Sequence, residues 1–123
     1  MKLAEILELT DDEILKTVAE LTKWKDLVYS PLRASGFDAT YWRGTCPEGY
    51  TGEPVPDFPN DLNAMAEVQN TLRSGKEMNR MISERAVYGE VLLGIALDAK
   101  IQIWETTAKQ KARAFIVAKT HKY

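Results

Sequence analysis

The sequence predicts a predominantly helical α+β domain, in which four to five helices pack around one core beside a small or vestigial sheet and a long ordered Pro/Gly/aromatic loop spans residues 30–60. Three observations predict it. Apolar residues recur at helical spacing up to Val28 and again from Leu62 onward. Capping boxes, a hydroxyl residue followed three positions later by Glu or Gln, open two of those stretches. Between Ser30 and Asn60 the helical period fails, and all five prolines and four of the seven glycines fall there.

Taken in order, Leu3, Ile6 and Leu7 share one face of a short first helix. Thr10 and Glu13 then form a capping box, with Asp11 and Asp12 in the first turn, where the helix dipole favours acids. The second helix therefore starts at Asp11. Ile14, Val18 and Leu21 face inward, with Val28 on the same face further on, and Lys16, Glu20 and Lys23 face out. Its end is predicted near Leu27 or Val28, ahead of Tyr29, Ser30 and Pro31.

A loop as long as 30–60 is uncommon inside a domain. Its aromatics Phe37, Tyr41, Trp42, Tyr50 and Phe58 predict order, because segments that stay disordered are poor in such residues. A short strand at Ala39 to Arg43 and a hairpin-like return near Tyr50 are expected. Pro54, Pro56 and Pro59 hold the approach to the next helix extended. Asn60 or Asp61 caps that helix, whose inward residues are Leu62, Met65, Ala66 and Leu72, with Gln69 interrupting them and Ser74 and Gly75 as the stop.

Lys76 to Ala99 reads as the longest helix, on the spacing of Met78, Met81, Ile82, Tyr88, Val91, Leu92, Ile95 and Ala99. Gly89 and Gly94 interrupt it at about 1 kcal/mol each against alanine, and residues this small let another helix approach closely. Ile101 and Ile103 alternate with polar neighbours and, with Trp104, predict a short strand. Thr107 and Gln110 form the second capping box, opening a last helix with Ala108, Ala112, Phe115 and Ile116 inward and Lys109 and Arg113 outward. Trp24 and Trp104 are assigned to the core, and Met78 and Met81 to filling its gaps.

The 123 residues suit one domain, 1–123. A 45% hydrophobic and 28% charged composition is that of an ordinary globular chain, and a net charge of -2 supplies no field to recruit nucleic acid or an anionic membrane. Charge is graded along the chain. Residues 1–27 carry seven acids and four lysines, whereas residues 100–123 carry six basic residues and Glu105 alone. The single cysteine, Cys46, has no internal disulfide partner, and no secretory signal pattern opens the sequence, so a cytoplasmic setting is expected. The longest strongly apolar run, Val91 to Leu97, is far shorter than the roughly 20 residues of a membrane span.

Two stretches, "VPDFPNDLNAMAEVQNTL" at 55–72 and "TTAKQKARAFIVAK" at 106–119, resemble small phage and prophage proteins of the phage ABA sandwich family. There an aspartate-led, alanine-rich helix and a late helix with an "AT-x-x-x-RA-x-AF" pattern recur around a small sheet. The resemblance covers about a quarter of the chain. It implies phage origin and, the family having no agreed activity, supplies no catalytic residue. The stretch between the two helices departs from the pattern, since only Ile101 to Trp104 reads there as strand.

No enzyme signature stands out. One cysteine and one histidine, Cys46 and His121, fall short of the roughly four ligands of a zinc site, and as a nucleophile pair they would join a loop thiol to a terminal residue. Gly75 and Lys76 lack the upstream glycine and following hydroxyl of a phosphate-binding loop. Asp57 and Asp61 suit either a shared cation or, more simply, helix capping. Tyr41 and Trp42 beside Arg43, followed by Gly44 and Gly49, combine stacking planes, a planar cation and flexible backbone, the set that recognises a base or anionic ring, although for Trp42 the simpler expectation is a core anchor of the loop. Lys109 and Arg113, one turn apart, can share a phosphate.

The sequence thus predicts a protein that acts by binding, with no catalytic residue, metal or cofactor. The expectation is a phage-encoded accessory protein of anti-defence type, sequestering a small anionic or nucleotide-like host molecule through Tyr41, Trp42, Arg43, Lys109 and Arg113. The alternative is a module that docks a host or virion protein through the acidic N-terminal helices or the basic last helix. A homo-oligomer is expected, and neither sequence-specific nucleic acid nor membrane is an expected partner.

Overall fold

The computed structural model describes residues 2–34 and 37–122, with side chains described over 2–29 and 41–122. It is an α+β fold, predominantly helical, with six α-helices and a small open three-stranded sheet among the described residues. Helices α1 (Leu3–Leu7) and α2 (Asp11–Leu21) precede strands β1 (Lys25–Ala34), β2 (Phe37–Thr45) and β3 (Glu53–Pro54). Helices α3 (Leu62–Gln69), α4 (Gly75–Met78) and α5 (Glu84–Ala99) follow, then a 3-10 turn (Ile103–Glu105) and α6 (Ala108–Thr120).

Helix α6 is the hub, packing against α1, α2, α3 and α5. Alanines at 108, 112, 114 and 118 keep its surface small enough for several neighbours, and Phe115 and Ile116 fill the centre with Ile6, Ile14, Val18 and Met65, all fully buried. Both predicted capping boxes form, Thr10 with Glu13 and Thr107 with Gln110. The proline-rich approach to α3 belongs to this core: Val55 and Phe58 are buried, and Asp61 caps the helix by accepting from the amides of Asn63 and Ala64. Asp57 accepts from the Asn60 side chain, so this aspartate pair shapes a helix start.

The structure corrects several expected boundaries. Helix α2 stops at Leu21 instead of Leu27 or Val28. Lys23 takes a left-handed conformation (φ 73°), the Trp24 amide donates to Ala19 O at 3.0 Å and the Lys23 amide to Glu20 O at 3.2 Å, a Schellman stop made with lysine where glycine is usual. Much of the expected 30–60 loop is strand. Strands β1 and β2 form one antiparallel hairpin, with Tyr29 opposite Trp42 and Pro31 opposite Thr40. Strand β1 is at the sheet edge, the position where a proline without an N–H is tolerated. The expected strand at 39–43 lies within β2, and the return near Tyr50 is made by the Cys46 amide donating to Tyr50 O. Gly44 is required there, since a Cβ would lie 2.8 Å from Lys25 O. Gly36 lies outside the described residues, as do the side chains of Pro31 and Phe37.

The predicted helix 76–99 is two helices. Asn79 (φ 53°) closes α4, residues 80–82 turn outward, and Ser83 caps α5. Met81 is therefore fully exposed and Ile82 59% exposed, against the core role expected of Met81. Leu62 and Ala66 also face outward, because capping at Asp61 sets the phase that buries Ala64, Met65 and Val68. The predicted strand at 101–104 is absent: Lys100 (φ 57°) ends α5 in a second Schellman stop, Gln102 and Glu105 close the 3-10 turn, and Trp104 is 77% exposed.

A lysine at a left-handed stop is strained where a glycine is not. Lys23→Gly is therefore expected to stabilise the fold by roughly 0.5–1 kcal/mol, seen as a thermal midpoint a few degrees higher, while Glu20→Gly inside the same helix lowers it. A lower midpoint for Lys23→Gly would contradict the assigned stop.

Candidate functional site

The five residues expected to bind ligand do not converge. Alternation along β2 sets Tyr41 and Arg43 on one face and Trp42 on the other. Arg43 lies 5.8 Å from the Tyr41 ring and donates through Nε to Gly52 O at 3.2 Å, which ties β2 to the turn before β3. Trp42 packs, half-buried, on the core edge, its ring tilted at 45° against Tyr29 with centroids 5.5 Å apart and its Nε1 donating to Asp12 at 3.4 Å. Lys109 and Arg113 are brought together around the start of α2. Lys109 is paired with Asp11 at 2.6 Å, and this hydrogen bond, helped by Asn60 and by the nearby Arg113 charge, holds the Asp11 carboxyl below the usual carboxylate range.

Two hollows compete as sites. The larger, about 830 Å³, lies among Trp24, Pro47, Pro56, Thr71, Arg73, Glu84 and Lys119. Glu84 is buried at its floor. Its carboxylate accepts from the Arg73 amide at 2.9 Å, from Arg73 Nη2 at 3.0 Å and from Lys119 Nζ at 2.9 Å. Against the cost of burial, these bonds hold its pKa at about 2. Lys119 also donates to Thr71 O, and Arg85 ties the same segment through Leu72 O and Arg73 O. The cations here already serve the protein's own acid, and the remaining charges, Lys23 with Glu48 and Glu67, are of mixed sign. This floor holds the structure together and presents no net charge to a ligand.

The second hollow, about 430 Å³, is a groove between α1, α5 and α6, walled by Leu3, Leu7, Val91, Ile95 and Ala99, with Asp98, Gln110 and Arg113 as its polar groups. Among the described side chains, Arg113 Nε is the buried polar atom with no hydrogen-bond partner. Its Nη2 makes one long contact, 3.4 Å, to Leu9 O. A guanidinium stays charged and carries five donors, so an unmade donor beside apolar walls is an open demand for an oxygen acceptor. Of the expected site residues, Arg113 alone lines this groove. Leu3 and Leu7 were not recognisable as a wall beforehand, because the spacing that marks a helix face does not say whether that face is covered.

Among the described residues no group of three His, Cys, Asp or Glu side chains could hold a metal ion, and no helix is long and apolar enough to cross a membrane. Cys46 is a half-buried free thiol. No family model, no curated protein and no solved structure matches the chain.

Glu84 generates a pH prediction. Its folded pKa lies below the ordinary 4.5, so its contribution is present above that value and is lost as the pH falls toward about 2. Glu84→Gln, which leaves two cations without their acid, is expected to cost on the order of 3 kcal/mol at neutral pH. The gap to wild type should narrow between pH 4.5 and 2, read by urea unfolding at each pH; a gap independent of pH would refute this role for Glu84.

Proposed function

We propose that the protein works by binding, and that it holds a small organic anion with an apolar body in the α1–α5–α6 groove, head group on Arg113. The observation that carries this reading is the buried, unpartnered Arg113 Nε beside a groove with apolar walls. A carboxylate, sulfonate or phosphate is the chemistry that satisfies a guanidinium, and the leucine, valine and isoleucine walls suit the remainder. The groove volume, about 430 Å³, falls in the range used for small molecules. In the phage setting that the resemblance at 55–72 and 106–119 implies, such a protein would withdraw a host metabolite or signal from its receptor, an accessory role of anti-defence type.

Calorimetric titration with decanoate and with naphthalenesulfonate, an aliphatic and an aromatic probe, tests this. One equivalent of at least one probe is expected to bind. Arg113→Met, which keeps the stem and removes the donors, should weaken that binding at least tenfold, since a charge-assisted hydrogen bond contributes about 1.5–3 kcal/mol. Tyr41→Ala and Arg43→Ala should leave it within about twofold, as both lie on the sheet. Failure of both probes at millimolar concentration, or equal binding by Arg113→Met, would overturn the assignment and favour the protein-docking alternative.

A further inference from the structure

The α5 wall of the Arg113 groove contains a gap. Val91, Ile95 and Asp98 line it at the three- and four-residue spacing of one helix face, and Gly94, which also lines it, stands one turn from Val91 and one from Asp98. Between those side chains the wall is bare backbone. A glycine inside a helix weakens it, and the usual reason to keep one is that another part of the chain packs closely against it. That reason is missing here. Among the described residues a Cβ on Gly94 would meet nothing within 4 Å, whereas one on Gly44 would lie 2.8 Å from Lys25 O. The space that Gly94 leaves is open to the groove and to whatever the groove holds.

We propose that Gly94 selects the ligand of this groove, and that the ligand is an aryl acid: a carboxylate, sulfonate or phosphate borne on a flat ring, with the acid on Arg113 and the ring against the Gly94 backbone. The inference rests on the reading of the groove as an anion site. A flexible alkyl chain bends around side chains and has no need of a gap. A rigid ring cannot bend, and it lies against a helix only where no Cβ stands in its plane of contact.

The rest of the groove suits a ring. Leu3 and Leu7, on the α1 wall, are 47% and 45% exposed, so each keeps apolar surface that a ring between α1 and α5 would cover. A ring also loses less conformational freedom on binding than a chain of the same carbon count. Asp98, one turn beyond Gly94, is the one acid of the groove and disfavours a second negative charge on the ligand. A singly charged aryl acid meets all three conditions.

Calorimetric titration of the full chain with naphthalenesulfonate and with decanoate tests the selection. Wild type should bind naphthalenesulfonate roughly tenfold more tightly than decanoate. Gly94→Leu, which fills the gap, should weaken naphthalenesulfonate binding roughly tenfold and leave decanoate within about threefold. Gly94→Ala should follow the same trend more weakly, and it keeps the test intact if leucine disturbs the helix. Gly89→Ala, at the other interior glycine of α5, lies off the groove and should leave both probes within about twofold. Both alanine variants should melt no lower than wild type, since each adds a better helix former in open space. Equal affinity of wild type for the two probes, or equal loss of both in the Gly94 variants, would overturn the selection while the anion site stands. Binding of neither probe by wild type would overturn the site and the selection together.

Discussion

The Glu84 carboxylate sits where three pieces of chain meet: it stands at the start of α5 and accepts from the amide and guanidinium of Arg73, in the turn after α3, and from the ammonium of Lys119, at the end of α6. Burying an acid is expensive unless charge and hydrogen bonds compensate, and here an amide, a guanidinium and an ammonium all do so. The position is also favourable in itself. Glu84 opens a helix and Lys119 stands in the last turn of one, each at the end its charge prefers. Because its donors come from the turn after α3 and from the end of α6, the bond set fixes how α5 lies along α6, start against end, before any apolar contact between them is counted.

That alignment has two consequences. On its inner side α5 packs on α6 and, across from α1, leaves the groove that Arg113 lines, with the buried Arg113 Nε unpartnered beside it. On its outer side the same helix is left with leucines and a glycine that none of the described residues covers. Helix α6 supports both through its alanines, which let four neighbours crowd one helix. The sheet is a separate construction. It is tied to the helical body by Trp42 on α2 and by Val55, whose amide donates to Trp42 O, and it carries Tyr41 and Arg43 on a face away from the groove.

Three helix starts were legible in the sequence because a start is written in side chains: Thr10 with Glu13, Asp61, and Thr107 with Gln110 each supply an oxygen to a free amide, whereas Ser74, which caps α4 in a box with Glu77, was read as a stop and the Ser83 cap of α5 was missed. The stops were not, because Lys23 and Lys100 close their helices by backbone geometry alone, in a conformation that glycine or asparagine would have announced. Asn79 did carry such a signal, masked by the helical spacing of Met78, Met81 and Ile82 across it. Strand β1 was hidden by its own edge position, where a proline costs no ladder bond. Of the site, Arg113 and its nearness to Lys109 were readable from a one-turn spacing. The dispersal of Tyr41, Trp42 and Arg43 follows from strand alternation once β2 is known to be a strand over its full length. Glu84 was unreadable, since its partners lie 11 and 35 residues away and nothing local marks it as buried.

Native-state hydrogen exchange at the Arg73 and Arg85 amides tests the central claim most directly. The Arg73 amide is held by Glu84 at 2.9 Å and the Arg85 amide by Arg73 O at 3.1 Å, in a turn that would otherwise fray. If the buried carboxylate joins the turn to α5 and α6, both amides exchange only through global opening, with the same free energy as the Phe115 and Ile116 amides at the centre of α6. Exchange of Arg73 and Arg85 through local opening, while α6 remains protected, would contradict it.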